Sequence, residues 1–316
     1  MDEVPGCILR VSDVTKRYGE LVAVDRLSID VQSGELLGFL GPNGAGKTTT
    51  LKMMCGLLRP DAGTIEIDGR PLLPGGKRGL SAVGVAPQEV VIWETLTCRE
   101  QLVFVARMYD YSAAAARVRA NHLLTVFGLE EKAGSLGKTL SGGMQRRLNI
   151  ALGRVHEPEV LFLDEPQAGL DPQSRVMVRE YIRSLRGKTT VVITTHDMDE
   201  AEKLVDRVCI IDRGKLLALD TVDGIKRRLV GGELFEITIN ADVGEALMPF
   251  LGRLQQLCTL TPRGDTLCLE SSNATGPLAE VLREIETRGL RLVSLRTRGT
   301  TLEDVFIKLT GRGLRE

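Results

Sequence analysis

Gly41-Pro42-Asn43-Gly44-Ala45-Gly46-Lys47-Thr48 follows the apolar run Glu35-Leu36-Leu37-Gly38-Phe39-Leu40 and precedes Thr49-Thr50-Leu51-Lys52-Met53-Met54-Cys55. The run before it reads as a buried strand and the segment after it as a helix. Strand, glycine-rich turn and helix in that order are what a phosphate-binding loop needs. Phosphate oxygens are anionic acceptors, so the turn must aim several backbone N–H groups inward. Glycines reach those dihedrals and keep Cβ atoms out of the way. The helix start adds unpaired amides and the positive end of its dipole. Lys47 is placed to bring a mobile positive charge to the outer phosphates, and Thr48 a hydroxyl to Mg²⁺.

Working outward, Cys7–Val11, Val22–Asp25 and Leu27–Val31 read as short strands. Tyr18 falls in the loop expected between the first two, where it is placed to stack on a purine base. Thr64–Gly69 and Ala82–Ala86 are further strands, separated by a Gly/Pro loop over 71–80, and a helical pattern runs from about Thr97 to Leu136. Leu140-Ser141-Gly142-Gly143-Met144-Gln145-Arg146-Arg147 is the second informative stretch. Ser141 is a good N-cap, and the two glycines leave amides open to an anion. Taken alone, the stretch would be a capped helix with solvated Arg146 and Arg147. Val160-Leu161-Phe162-Leu163 is a buried parallel strand ending in Asp164-Glu165-Pro166. Carboxylates at such a strand end lie where open α/β sheets bind ligands. Asp164 suits the Mg²⁺ shell, and Glu165 suits the polarisation of a water aimed at a phosphate. The last apolar strand, Thr189–Thr195, ends at His196-Asp197.

The bulk numbers narrow the class. The 316 residues carry a net charge of −1, with 43% apolar and 26% charged positions. That length allows two domains, one of about 200–230 residues and a smaller one. There is no basic excess to argue for nucleic acid. The six cysteines form no C-x-x-C pair or zinc-like cluster and sit mostly in apolar segments, as buried thiols do in a reducing cytosol. The N-terminus lacks a signal-peptide pattern, and no apolar run approaches the roughly 20 residues of a membrane span.

Taken together these residues resemble the nucleotide-binding subunit of ABC transporters, over about Ile8 to Asp223. Gly41–Thr48 is similar to the Walker A, Gln88 to the Q-loop and Leu140–Gln145 to the signature sequence. Val160–Asp164 with Glu165 is similar to the Walker B and catalytic glutamate. Ala168–Asp171 is similar to the D-loop, His196 to the switch histidine and Tyr18 to the aromatic A-loop. Gln167-Ala168 stands where that family commonly has a Thr and another small residue. The resemblance implies an α/β P-loop NTPase, with a RecA-like core, an antiparallel β subdomain and a helical signature subdomain at about 89–158. The ATP-binding domain would occupy residues 1–225. ATP would be held by Tyr18, Gly41 to Thr48, Thr49, Ser141, Gly142, Gly143, Gln145 and Asp171. Thr48, Gln88 and Asp164 would hold Mg²⁺, and Glu165, His196 and Gln88 would act in hydrolysis. It further implies an ATP sandwich with a second copy or a homologous ATPase subunit, because a P-loop does not reach its own signature helix. A membrane permease would be the other partner, with Trp93 a candidate for its groove, and the protein would sit at the cytoplasmic membrane face.

Residues 226–316 read as a small α+β accessory domain: a strand at Leu234–Ile239, a helix near Val243–Leu257, a strand at Thr266–Glu270, a helix at Pro277–Arg288, a strand at Arg291–Leu295 and a closing helix. Thr301-Leu302-Glu303-Asp304-Val305-Phe306 opens that helix with an acidic capping-box variant. It resembles the ending of ATPase subunits in drug, lipid or polysaccharide exporters of the daunorubicin-resistance type. Arg288, Arg291, Arg296 and Arg298 are expected on a solvated face. A soluble ABC ATPase acting on ribosomes or nucleic acid is the alternative. The ribosomal kind usually has two cassettes. The DNA-repair kind inserts long heptads, which the 93 residues from 48 through 140 lack.

Overall fold

The computed structural model describes residues 6–73, 75–76, 81–229, 233–252, 254–271 and 275–310. The N-terminal segment 1–5, part of the expected loop over 71–80, and the last residues of the closing segment lie outside them. The chain divides into two compact units, one through Thr221 and one from Val222 onward. No helix of the described residues is long and apolar enough to cross a membrane.

In the first unit, β1 (Cys7–Tyr18) and β2 (Leu21–Gln32) pair antiparallel, and β4 (Ala62–Ile67) and β5 (Arg70–Pro71) complete a sheet of order β2-β1-β4-β5. The sequence predicts β1 only as far as Val11, and β2 as two pieces. Both run on through register shifts near Val14, with Asp13 and Arg26 at φ 49° and 46°. Such bulges bend a strand without ending it, which alternation alone does not reveal. Tyr18 therefore closes a strand and is not in a loop.

The second sheet is β10-β9-β3-β8-β7-β6. Its parallel strands are β3 (Leu36–Leu40), β6 (Val83–Ala86), β7 (Val160–Asp164), β8 (Thr190–Thr195) and β9 (Arg207–Asp212), with β10 (Lys215–Thr221) antiparallel at one edge. All five residues of β3 and of β7 are buried, as central strands covered on both faces must be. One core joins the two sheets through α1 (Lys47–Met54). Leu51, Met53 and Met54 pack in the same cluster as Val11, Val24 and Ile29 on one side and Phe39, Phe162 and Val192 on the other.

A helical arm follows β6. Thr97 and Glu100 form a reciprocal capping box at α2 (Cys98–Met108), and Ser112 caps α3 (Ala113–Val126). Next comes α4 (Gly142–Gly153), which leads into β7. The helices α5 (Pro172–Ser184) and α6 (Met198–Leu204) flank β8, and Asp171 and Asp197 cap them. The six cysteines are thiols, five of them buried.

The second unit begins with α7 (Val222–Leu229) and holds an antiparallel sheet, β12-β13-β11-β14. Its strands are β11 (Glu233–Ile239), β12 (Thr259–Arg263), β13 (Thr266–Ser271) and β14 (Leu292–Arg298). Ile237, Ile239, Leu267 and Leu269 pack with Val281 and Ile285 of α9 (Thr275–Thr287). The helix expected over Val243–Leu257 is a single turn, α8 (Val243–Ala246), followed by two short 3₁₀ turns. Pro249 lacks the N–H to continue the ladder. Residues Thr259–Arg263, not anticipated as a strand, form a hairpin with β13. The closing helix α10 (Leu302–Thr310) starts with the expected box: the Thr301 N–H donates to Asp304 Oδ2 at 2.9 Å and the Asp304 N–H donates to Thr301 Oγ1 at 3.2 Å. Arg288, Arg291 and Arg296 are exposed, Arg288 also lying over the Phe250 ring at 3.1 Å and pairing with Glu284, and the side chain of Arg298 lies outside the described residues.

Candidate functional site

The loop between β3 and α1 is shaped by close backbone approach. Gly46 sits at φ 101°, and a Cβ there would fall 2.5 Å from the Ala23 carbonyl oxygen. Only glycine fits that left-handed position against β2. The loop is held from behind, where Gly214 in the β9–β10 turn donates its N–H to the Ala45 carbonyl at 2.9 Å. Lys47 is buried and folds back on its own loop, donating to the Gly41 carbonyl at 2.6 Å and the Pro42 carbonyl at 3.1 Å. Burial holds its pKa below the ordinary lysine range, partly offset by the charges of Glu165 and Asp164.

The parallel register of β7 and β8 sets Asp164 beside Thr194. The Thr194 hydroxyl donates to Asp164 Oδ1 and accepts from the Glu165 N–H at 3.0 Å, while the Thr194 carbonyl accepts from that same N–H at 3.1 Å. Glu165 has φ 47°, a costly conformation for a side chain other than glycine, held here by those bonds. His196 Nδ1 lies 2.9 Å from Glu165 Oε1.

These groups converge on one cavity of about 660 Å³. The predicted residues Tyr18, Pro42, Asn43, Gly44, Gly46, Lys47, Thr48, Thr49, Gln88, Asp164, Glu165 and His196 all line it. Gly41 and Ala45 belong to the same loop but do not line the cavity. Leu21, Val22, Ala23 and Arg213 line it without having been anticipated. Asp212-Arg213-Gly214 between two apolar strands does signal a hairpin turn. What it does not signal is that the turn packs against a loop more than 160 positions earlier, as the Gly214–Ala45 bond does.

Ser141, Gly142, Gly143, Gln145 and Asp171 are absent from this lining. Ser141 caps α4 by accepting from the Met144 N–H at 3.3 Å, and Gln145 Nε2 donates to the Gly137 carbonyl. Gly143 lies against the start of α5, where an added Cβ would meet Ser174 Oγ at 2.4 Å and Asp171 Oδ2 at 3.0 Å. Asp171 accepts from the Ser174 N–H at 2.9 Å, and its bonds to Ser174 hold its carboxyl below the usual range. Ser141 and Gly142 are exposed, so the helix start presents its amides outward.

Arg146 and Arg147 are not the solvated pair that the stretch taken alone would give. Both are buried. Arg147 donates to the carbonyls of Phe127 at 2.6 Å and Gly128 at 3.2 Å. Arg146 donates to five carbonyls, those of Pro87, Gln88, Asp164, Glu165 and Pro166. For Arg146 all five donors of the fixed fork are filled, which makes its burial tolerable, whereas Arg147 bonds through one terminal nitrogen and its Nε is buried without a partner; backbone carbonyls leave no trace in side-chain patterns.

Chemically, the cavity offers a loop of amides and a lysine for an anion, and carboxylates beside a histidine. An aromatic side chain, half-exposed, stands at one wall. The volume fits a nucleotide-sized ligand. Among the described residues no cluster of three or more His, Cys, Asp or Glu side chains forms a metal cage. Mg²⁺ needs no such cage, since it keeps waters and takes one or two protein ligands plus phosphates.

A family model described as ABC transporter matches residues 24–168, and one described as AAA domain, putative AbiEii toxin, Type IV TA system, matches 138–200. The chain is 36% identical over 312 residues to the linearmycin resistance ATP-binding protein LnrL of Bacillus subtilis, covering 98% of this chain and all of that protein. It is 39% identical to the Nod factor export ATP-binding protein I of Ralstonia nicotianae over 98% of this chain and 95% of that one. Its counterpart in Burkholderia pseudomallei is 43% identical over 95% of each. Among solved structures, an ATP binding subunit of an ABC transporter superposes with TM-score 0.65 at 32% identity, over 70% of this chain and 92% of that one. A dimeric post-hydrolysis state of the ATP-binding cassette MJ0796, bound to ADP and Pi, gives 0.62 at 25% identity, over 68% and 98%.

Proposed function

The chain belongs to the ATP-binding subunits of ABC transporters, and from that premise we propose that it powers a multi-subunit exporter as one half of an ATP-closed dimer. The carrying observation is the division of the candidate residues. Lys47, Gln88, Asp164, Glu165 and His196 share one cavity, while Ser141, Gly143 and Asp171 stand outside it. A second copy, or a homologous ATPase subunit, would bring its own Ser141–Gly143 amides to the phosphates held by Lys47. Binding across two chains favours the closed pair, and loss of the γ-phosphate removes the contacts that hold it.

Within each site, Tyr18 would stack on the base and the Gly41–Thr49 loop would hold the phosphates. Thr48, Gln88 and Asp164 would hold Mg²⁺, which neutralises charge on the phosphate oxygens when bound. Glu165 would act as general base on a water, with His196 fixing its carboxylate through the 2.9 Å contact. Ser141 to Gln145 and Asp171 would complete the partner's site.

Similarity along almost the whole chain to proteins named for linearmycin resistance and Nod factor export supports export as the direction of transport. The unit from Val222 onward would be an accessory domain, and a membrane permease would place the protein at the cytoplasmic membrane face. The test is a pull-down of detergent-solubilised membranes with tagged Glu165→Gln protein and Mg-ATP. A polytopic membrane protein is the expected catch; ribosomal proteins or nucleic acid in its place would overturn the transporter reading.

A further inference from the structure

We propose that Arg146 is a positioning residue that locks α4, the Gln88 segment and the Asp164–Pro166 strand end into one moving unit. This rests on the ATPase reading of the site. Arg146 lies one turn into α4 behind the Ser141 cap. Its guanidinium has five N–H donors in a rigid fork. Nε donates to the Pro166 carbonyl at 3.2 Å, one terminal nitrogen to those of Pro87 and Gln88, the latter at 3.0 Å, and the other to those of Asp164 and Glu165, the latter at 2.9 Å.

Every acceptor is a backbone oxygen, so the side chain grips the course of two segments rather than their side chains. Those segments carry Gln88, Asp164 and Glu165 into the cavity. The same helix presents Ser141 and Gly142 at its exposed start. A displacement of Gln88 or Glu165 at one phosphate site is thereby passed to the amides that would face the partner copy's phosphates. Burial lowers the Arg146 pKa, and the nearby Asp164 and Glu165 charges oppose that shift. Lysine would retain the charge but has only three donors on a single nitrogen and cannot span from Pro87 to Pro166.

The test compares wild type with Arg146→Lys. The expected result is ATP affinity and KM within about threefold of wild type, with kcat lowered by about 10²-fold, the signature of a misplaced reacting group. In the Glu165→Gln background the same change is expected to abolish ATP-driven dimerisation on gel filtration. A folded Arg146→Lys protein with wild-type kcat and intact dimerisation would overturn the inference. A variant that does not fold leaves the decision to hydrogen exchange on the wild-type chain. The amides of Gln88, Asp164, Glu165 and α4 are then expected to open with one common free energy, and unrelated opening would overturn the inference. A wild-type chain that neither binds nor hydrolyses ATP would sink the ATPase reading instead, and the exchange measurement still judges the lock.

Discussion

Replacing Glu165 by Gln is expected to separate binding from hydrolysis at this site. The Glu165 N–H bonds to Thr194 are backbone bonds and survive. The amide oxygen of glutamine accepts the 2.9 Å contact from His196 as the carboxylate did, and the phosphate loop is untouched. What is lost is basicity. Positioned general bases contribute about 10²–10⁴-fold, equivalent to about 2.7–5.4 kcal/mol of barrier, so kcat should fall by that factor. ATP affinity should hold or rise, because removing one negative charge beside the phosphates lowers repulsion. The melting temperature should stay equal or rise slightly, since a buried carboxylate gives way to an isosteric amide. Phosphate release gives kcat, calorimetry gives affinity, and gel filtration with Mg-ATP reports a stable dimer. Hydrolysis within about threefold of wild type would remove Glu165 as the base.

Lys47→Ala should weaken ATP binding by about 10³-fold, from about 4 kcal/mol of charge–charge attraction at 4 Å in partly screened surroundings. Burial also depresses the Lys47 pKa, so phosphates that raise it should draw in a proton at alkaline pH between the depressed value and 10.5; calorimetry in buffers of different ionisation enthalpy that detects no uptake there would refute this. Thr194→Val removes the donor to Asp164 and one acceptor for Glu165, which should cost about 1–3 kcal/mol in denaturant unfolding. His156 is stacked on Tyr109 at 3.9 Å and is buried enough to lower its pKa below 6.5. Above that value the ring is neutral folded and unfolded; below it only the unfolded chain takes the proton, so stability falls as pH drops from about 6.5. Between about pH 7.5 and 5.5, His156→Phe should flatten that fall in melting temperature, and an unchanged slope would discount His156 as its source.

Much of this was readable one segment at a time. The glycine spacing before Lys47, the Ser141 cap, the apolar strand ending at Asp164 and the Thr301–Asp304 box depend on residues a few positions apart, where sequence and local geometry are nearly the same thing. The long strands β1 and β2 read as shorter segments because bulges at Asp13 and Arg26 interrupt alternation without interrupting pairing. The helix predicted after Val243 yielded to Pro249, whose missing N–H outweighs an apolar stripe.

By itself the sequence determined the motif set, the α/β alternation and the presence of groups able to bind phosphate and activate water. Only the tertiary structure decided which of them share a cavity. Arg146 looks like a surface charge because its acceptors are carbonyls 18 to 59 positions away. Thr194 and Arg213 acquire their places when β8 pairs with β7 and the β9–β10 turn meets the phosphate loop. Ser141 and Lys47 are equally clear as motifs, yet only Lys47 lines the cavity. Backbone patterns encode what neighbours along the chain can do, whereas burial and convergence depend on partners that the chain brings together only when it packs.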